Sequence, residues 1–423
     1  YFRRLLNSYR IKNIIKMSDD EIDKKICIPL NSNPLEMKWF VVNLCKVESI
    51  EKIMAKKNEV TNYCMSNVYE KLSNDSKKML NVLLVTNVEC SSAELDYIVD
   101  VDTFRHNKAI NELISTNMVS MKTTPLNSYM QTKFFVTEFA KEYLQQHCPP
   151  NNTTYKEIIK KFNSLKGLIE NMEVQLKFNP YLPKSICATN KDERIAAYYL
   201  LKSLEYSEKK EYDTAFKFIN RAKNAVPNYY ENYKISAFIY ASKNCLFEAN
   251  RDYLTAIECC RDKDKLAPLE YLYAGFNLTK IEDYEKAMEL CEKAECIDST
   301  SFEIKSLKAR IFKQMKECEK AGKLFDKLTE NLGELTQKNR RILIDQSIEN
   351  LNNWVDEYVT KNQYKKAIEI INSINNKLNN FPKEDFDSKI YTTISKTIIK
   401  CIIVARNCQE DSIWTSIIAI LRN

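Results

Sequence analysis

Glycine is almost missing from this chain: 423 residues contain four, Gly167, Gly275, Gly322 and Gly333. A phosphate-cradling loop of the form GxxxxGK(S/T), or a GxGxxG dinucleotide turn, needs clustered glycines so that backbone amides can close on the phosphates. No two of the four are near enough to build one, so the chain carries no complete nucleotide-hydrolysing site. So few glycines also point to an almost wholly helical protein. Histidine is as scarce, with only His106 and His147. Neither has a recognisable nucleophile partner, and acid pairs such as Asp19-Asp20 or Asp262 and Asp264 read as solvated helix-end residues, so the chain is expected to be no enzyme. The fourteen cysteines are scattered, and Cys259-Cys260 or Cys291 with Cys296 lack zinc-ligand spacing. Without a recognisable signal peptide they are expected to be free thiols, with Cys45, Cys245, Cys259, Cys291 and Cys401 in helix interiors of a cytoplasmic protein, and no metal is expected. No apolar run approaches bilayer length, which argues against a membrane partner. The net charge of +7 is modest and its charges interleave at helical spacing, the pattern of a solvated outer face and not of a phosphate-binding stripe.

What the chain has in abundance is a repeat of small and large residues. Ala215, Ile219 and Ala222 lie on one helical face, and Ala249, Tyr253 and Ala256 repeat them 34 residues later. The pattern returns as Ala287, Cys291 and Ala294, as Ala321, Phe325 and Leu328 after another step of 34, and as Ala367, Ile371 and Ile374. Upstream of each stand Ser203 and Tyr206, Ala237 and Tyr240, Gly275 and Leu278, Ala309 and Phe312, Val355 and Tyr358. Antiparallel helices joined by a short turn approach closely only where a small side chain meets the neighbouring backbone. A fixed period of this length therefore predicts a stack of helix pairs, none of which buries its apolar face alone. The offsets resemble the tetratricopeptide repeat (TPR) family, with small residues at the eighth, twentieth and twenty-seventh positions and Pro227 at the thirty-second.

Ahead of the repeats, residues 67–150 read as a compact unit. A helix through Lys71–Leu84 is followed by one capped near Ser91-Ser92 and a third from Asp102 to Ser115, with Asp102 or Thr103 as its N-cap. Two alternating segments follow, Asn117–Met121 and Thr132–Val136, separated by the turn-rich Thr123–Ser128. Three helices and a hairpin predict a winged-helix domain. Its third helix carries Arg105, His106, Asn107 and Lys108, types able to contact phosphates and base edges. Asp102 and Glu112 flank them, and the wing adds only Lys122 and Lys133, which favours intramolecular packing over DNA. In residues 1–66, Ser18 and Glu21 have capping-box spacing, and Asn33-Pro34-Leu35 opens an amphipathic helix.

Asn33-Pro34-Leu35 resembles an element in the lid of STAND-class nucleotide-switch ATPases, just before their winged helix. The order supports the likeness: lid helices (1–66), winged helix (67–150), a linker helix through Tyr155–Phe162 and a connection (151–190), then TPR-like repeats (191–423). The segment Phe178–Pro183, followed by Asp192–Ala197, is similar to the entry to such an array. The chain thus resembles the C-terminal portion of a STAND NTPase, and more narrowly the bacterial antiviral type. The resemblance implies a mainly all-α fold, a winged helix with a small β-hairpin followed by an α-solenoid. It implies that Pro34 lies against the adenine base, and that ATP and Mg belong to a longer protein whose Walker A and B elements lie upstream of Tyr1 and whose effector domain is also outside this sequence. It implies a phage structural or packaging protein as ligand, with self-association of the whole protein on activation. One departure is plain: relatives often place a phosphate-contacting His after the wing, where this chain has Val136-Thr137-Glu138.

In TPR arrays the first helix of each pair lines the ligand face. Carrying the offsets over gives Leu200, Leu204, Lys234, Phe238, Leu272, Phe276, Arg310 and Lys313 as partner-binding candidates, with Ser306 beside the last two; Phe238 and Phe276 would otherwise pack between units. Chaperone adaptors use asparagines and lysines at these places to clamp a C-terminal carboxylate. Here Leu204, Phe238, Phe276 and Arg310 stand instead, which excludes that activity. Two readings remain: the sensor half of an antiviral switch that binds a phage protein through its TPR array, and a STAND-type transcription regulator whose winged helix touches DNA.

Overall fold

The computed structural model describes residues 1–9, 16–30, 34–45, 49–126, 129–175, 179–408, 414–415, 418 and 420. Two compact units divide the chain. The first comprises Tyr1–Gln175, Thr189–Tyr198 and Asn220–Val226; the second comprises Leu176–Ala188, Tyr199–Ile219 and Pro227–Asn423.

The first unit opens with short helices, α1 (Phe2–Ser8), α2 (Asp19–Ile22, running into a π turn over Asp23–Cys27), α3 (Pro34–Leu44), α4 (Ile50–Ala55) and α5 (Lys57–Lys71). Phe2, Leu6, Ile22, Ile26, Leu30, Phe40, Val41 and Ile53 form their shared core. Ser18 starts α2 through a capping box: its hydroxyl accepts from the Glu21 amide at 3.3 Å, and Glu21 Oε2 accepts from the Ser18 amide at 3.2 Å.

Next come α6 (Asn74–Thr86), β1 (Cys90–Ser91), α7 (Ser92–Val99), α8 (Thr103–Ser115), β2 (Val119–Leu126), β3 (Tyr129–Val136), α9 (Glu138–His147) and α10 (Asn152–Gln175). Side-chain caps set these starts. Ser91 and Glu94 form a second capping box at α7, and Asp102 accepts from the Arg105 amide at 3.0 Å to open α8. The helix expected from Lys71 begins at Asn74, because Ser73 caps it and is bound in turn by Glu112 of α8. Glu112 Oε2 accepts from the Ser73 hydroxyl at 2.6 Å and from the Ser76 hydroxyl. Burial pushes the Glu112 carboxyl up, but these hydrogen bonds outweigh it and hold the group below its ordinary range.

The sheet is antiparallel in the order β1-β3-β2, with Val119 opposite Val136 and Leu126 opposite Tyr129. The strands are thus longer than expected. Thr123, Thr124, Pro125 and Leu126, read above as turn, continue β2, and the rest of that reading, residues 127–128, lies outside the described residues. Pro125 fits because β2 is an edge strand, where a missing amide breaks no ladder.

The second unit is a stack of helix pairs: α11 (Lys191–Glu208, from Tyr199 on) with α12 (Tyr212–Ala225, up to Ile219), α13 (Tyr230–Ser242) with α14 (Leu246–Cys259), α15 (Lys263–Phe276) with α16 (Tyr284–Ile297), α17 (Phe302–Gln314) with α18 (Cys318–Thr329), and α19 (Gln337–Thr360) with α20 (Tyr364–Asn380). A last helix, α21 (Ser388–Cys408), packs on α19 and α20. The repeat alanines Ala215, Ala249, Ala287, Ala321 and Ala367 are wholly buried, as are Ser203, Ala237, Ala309 and Val355 of the opposing helices. The chain is therefore mainly all-α, with an α-solenoid of TPR-like pairs. Among the described residues no helix is long and apolar enough to cross a membrane.

Every turn within a pair holds one left-handed residue, Lys210, Asn244, Glu282, Lys316 and Asn362, with φ between 54° and 64°. In four of them the next amide reaches back five residues, Glu211 to the carbonyl of Tyr206 at 2.9 Å, Cys245 to Tyr240 at 2.9 Å, Glu317 to Phe312 at 2.9 Å and Gln363 to Tyr358 at 2.8 Å. This is the Schellman closure, in which the turn satisfies helix-end carbonyls. The third pair differs because α15 continues into a π turn, Asn277–Ile281, and Asp283 closes on Asn277 instead. Such turns usually employ glycine, since a side chain in this conformation is disfavoured by about 1–2 kcal/mol. Lys316→Gly is accordingly expected to raise stability by about 0.5–1 kcal/mol in urea titrations, the relief being partly offset by glycine's greater unfolded-state freedom. Ala249→Leu should act oppositely, lowering stability by about 1–3 kcal/mol through overpacking.

Candidate functional site

The eight residues predicted to bind a partner all lie on first helices of pairs, but the stack covers most of them. Leu200, Leu204, Lys234, Leu272, Phe276 and Lys313 are buried. Leu272 and Phe276 belong to an apolar cluster with Ala237, Tyr253 and Tyr273, and the Phe276 ring sits 5.3 Å from that of Tyr253, between successive pairs. Lys313 donates to Gln346 Oε1 at 2.6 Å and to Glu349 Oε2 at 2.5 Å on α19. Phe238 and Arg310 stay half-exposed, as does Ser306.

Lys234 is engaged in the arrangement that the sequence did not reveal. The segment Asn179–Ala188, hereafter the strap, lies against the first-helix face of its own unit. It begins as a tight turn, with Leu182 and Ser185 amides closing on the carbonyls of Asn179 and Leu182, and continues without regular structure. Lys234 donates to the Ser185 carbonyl. Glu231 Oε1 accepts from the Cys187 amide at 3.0 Å, and Tyr229 donates to the Cys187 carbonyl. Glu231 and Lys234, 0% and 3% exposed, are themselves an ion pair at 2.5 Å. Further along, the Tyr181 hydroxyl donates to Asp298 at 2.6 Å, and its ring meets Tyr271 of α15 edge-on at 5.2 Å. Burial and then this bond push the Tyr181 phenol up to about 12, while the same bond holds the Asp298 carboxyl low. Lys184 pairs with Glu208 at 2.6 Å and lies 5.8 Å from the Phe238 ring centroid. Ile186 is buried. Pro180 and Pro183 on either side of Tyr181 were the available signal for a non-helical segment. Its docking place is set by residues 24 to 117 positions away and was not legible.

In the first unit, α8 offers less to DNA than its composition promised. The Arg105 guanidinium holds Asp75 of α6 through two hydrogen bonds of 2.7 Å, and His106 is wholly buried. Asn107 and Lys108 remain exposed. His106 Nε2 lies 3.1 Å from Ser92 Oγ, and its Nδ1 lies 3.9 Å from Asp96, beyond hydrogen-bond range. Buried Asp96 accepts from Arg221 Nε at 3.1 Å, and Arg221 also reaches Asp100 at 2.8 Å. Nearby, Asp192 accepts from Ser91 at 2.6 Å and from Gln131 at 2.7 Å.

Pro34 is exposed at the first position of α3, open to a planar base, whereas Asn33 lies outside the described residues. Among the described residues no three His, Cys, Asp or Glu side chains gather as a metal would require, and every described cysteine is free. Burial pushes the thiols of Cys90, Cys291 and Cys401 up to about 12, so they are poor nucleophiles. Of those expected inside helices, Cys45 is exposed beyond the end of α3 and Cys245 precedes α14.

The class defined by this fold is a TPR-like α-solenoid joined in one chain to a helix-and-hairpin unit. No protein-family model matches the chain, and no curated protein matches it in sequence. Among solved structures it is similar to a STAND (signal transduction ATPase with numerous domains) protein with a tetratricopeptide repeat sensor from Pyrococcus horikoshii, at 13% identity over 100% of this chain and 71% of that one, TM-score 0.40. It is also similar to PilW, a type IV pilus biogenesis factor, at 14% identity over 54% of this chain and 92% of that one, TM-score 0.35. Yeast Tom70 matches at 13% identity over 97% and 85%, TM-score 0.33.

The buried histidine yields a pH prediction. Burial holds His106 below its ordinary value, with Asp96 pulling it back and Arg221 adding to the depression. The folded state therefore keeps it neutral while the unfolded chain takes up a proton near pH 6.5. Its contribution is full above that pH and is lost as pH falls, with a slope of at most about 1.4 kcal/mol per unit. Asp192, raised by burial, acts with the opposite sign. The difference between wild type and His106→Gln isolates the histidine: the wild type should lose more stability between pH 7.5 and 5.5 in urea titrations.

Proposed function

We propose that this chain is the sensing and regulatory portion of a STAND-class switch of the antiviral type. In this reading the repeat array binds a protein ligand, a phage structural or packaging protein. Ligand binding acts through the helix-and-hairpin unit, taken as a winged helix, on an ATPase core that uses ATP and Mg, and promotes self-association and effector activation. The chain contributes recognition and no catalytic step. The observation that supports the reading is the strap: the first-helix face already holds a polypeptide segment through hydrogen bonds to its main chain, which is what recognition of a protein ligand by such a face requires. A ligand shifts the switch only by binding its active state more tightly than its resting one. The regulator reading is less favoured, because Arg105 is occupied by Asp75 and His106 is buried.

Affinity purification with this chain from phage-infected and uninfected bacterial lysates, washed at high salt, tests the proposal. One phage protein enriched only after infection is expected, with at least tenfold less recovered on Phe238→Ala plus Arg310→Ala. Recovery of DNA and ribosomal proteins alone, lost in salt, would refute the sensor role, since phosphate contacts are salt-labile.

A further inference from the structure

We propose that the strap is a built-in, displaceable ligand of the first-helix face, and that the protein ligand presents the strap's own chemistry. That chemistry is a tight turn bearing a phenolic side chain, a cation three residues later and an apolar residue two beyond, as in Tyr181, Lys184 and Ile186, read largely through main-chain groups. The inference rests on the proposed recognition role and specifies its ligand.

The composition of the two surfaces carries the argument. A segment fixed in place for stability alone is best held by apolar packing, because a buried ion pair is weak as a source of stability. Here the groups that grip the strap are Tyr229, Glu231, Lys234, Asp298 and Glu208, each of which hydrates well when uncovered. The strap offers a phenol, an ammonium, a serine and main-chain amides, which hydrate equally well, and Leu182 of the strap is already exposed. Both surfaces thus tolerate water, and no helix of a pair includes strap residues. Release uncovers the Ile186 side chain and the Tyr181 ring and otherwise breaks a handful of polar contacts without opening a helix, the pattern of a segment that opens locally while the rest stays folded. The contacts also span three successive pairs, from Glu208 at the end of α11, through α13, to Tyr271 within α15 and Asp298 just after α16. A ligand that replaces the strap therefore acts on all three pairs at once.

The test uses the full chain and a fluorescent peptide with the sequence of residues 179–189. Tyr181→Ala plus Ile186→Ser weakens the strap and leaves the helices untouched. This variant is expected to bind the peptide at least tenfold more tightly than wild type, and a peptide carrying the same two changes should bind neither. Equal affinity, or no binding by the folded variant, would overturn the proposal. Hydrogen exchange on the unaltered chain supplies a readout that needs no variant: the Cys187 amide should exchange at least a hundredfold faster than amides in the middle of α13 and α14. Equal protection would mean that the strap opens only with global unfolding, which also overturns it. The two proposals fail separately. A phage protein captured and then lost on Phe238→Ala plus Arg310→Ala, with no peptide binding, removes the displaceable strap and leaves the sensor role. Peptide binding with no captured phage protein supports the displaceable strap and removes the proposed ligand source.

Discussion

The solenoid depends on one steric condition: where the two helices of a pair cross, at least one of them must present a side chain no larger than alanine. Ala215, Ala249, Ala287, Ala321 and Ala367 meet that condition on the second helices, and Ser203, Ala237, Ala309 and Val355 face them. Alanine burial contributes little transfer energy by itself. Its effect is to let the backbones close, after which larger residues such as Tyr253, Phe276, Phe325 and Ile371 fill the space between pairs. The same closeness fixes the rotation of each first helix, and so decides which side chains are swallowed by the stack and which reach the outer face. The left-handed turn residues complete the geometry. Four near-identical closures place an aromatic residue at the same point of the turn, and in three of these a nearby lysine lies over that ring: Lys209 on Tyr206, Lys320 on Phe312 and Lys366 on Tyr358.

On that scaffold the face that holds the strap is chemically mixed. Tyr271 supplies an aromatic wall, whereas Glu231 and Lys234 form a desolvated ion pair whose remaining hydrogen-bonding capacity is directed at main chain. Main-chain recognition is tolerant of sequence, so discrimination falls to the few side-chain contacts, chiefly the Tyr181 phenol on Asp298. In the first unit the polar interior follows another logic. Asp96, Arg221, His106 and Ser92 are packed together, Asp96 with Arg221 and His106 with Ser92, and these contacts order the unit from within.

What could be read in the sequence was whatever is settled by residues within a turn or two of each other. The repeat alanines, the capping box at Ser18, the cap near Ser91-Ser92 and the Asp102 cap are all of this kind, and the helix pairs followed from the first of them. Thr123-Thr124-Pro125 misled because its residues favour turns in isolation, while pairing with Met130–Thr132 on an edge strand overrides that preference. The eight positions carried over from the repeat offsets do lie on first helices of pairs. Six of them are nevertheless covered, because burial there is decided by distant parts of the chain: the strap meets Lys234, the preceding pair meets Phe276 through Tyr253, and the following pair holds the Lys313 ammonium through α19. His106 and Arg105 had the residue types of a DNA contact, but a neighbouring helix supplies the Asp75 that occupies Arg105. The strap was invisible for the strongest form of the same reason: its contacts span up to 117 residues, and no local pattern encodes them.

Only Thr189 and Asn190 separate the strap from the first residue of α11. So short a tether keeps the segment at an effective concentration on the order of millimolar. A free peptide of the same intrinsic affinity, present at micromolar abundance, would be outcompeted roughly a thousandfold. The first-helix face is thereby shielded from the casual ends and loops of other polypeptides, and a sequence that merely copies the strap gains no foothold. Occupancy passes only to a protein that adds contacts outside the strap's footprint, so the tether sets an affinity threshold below which the face does not respond.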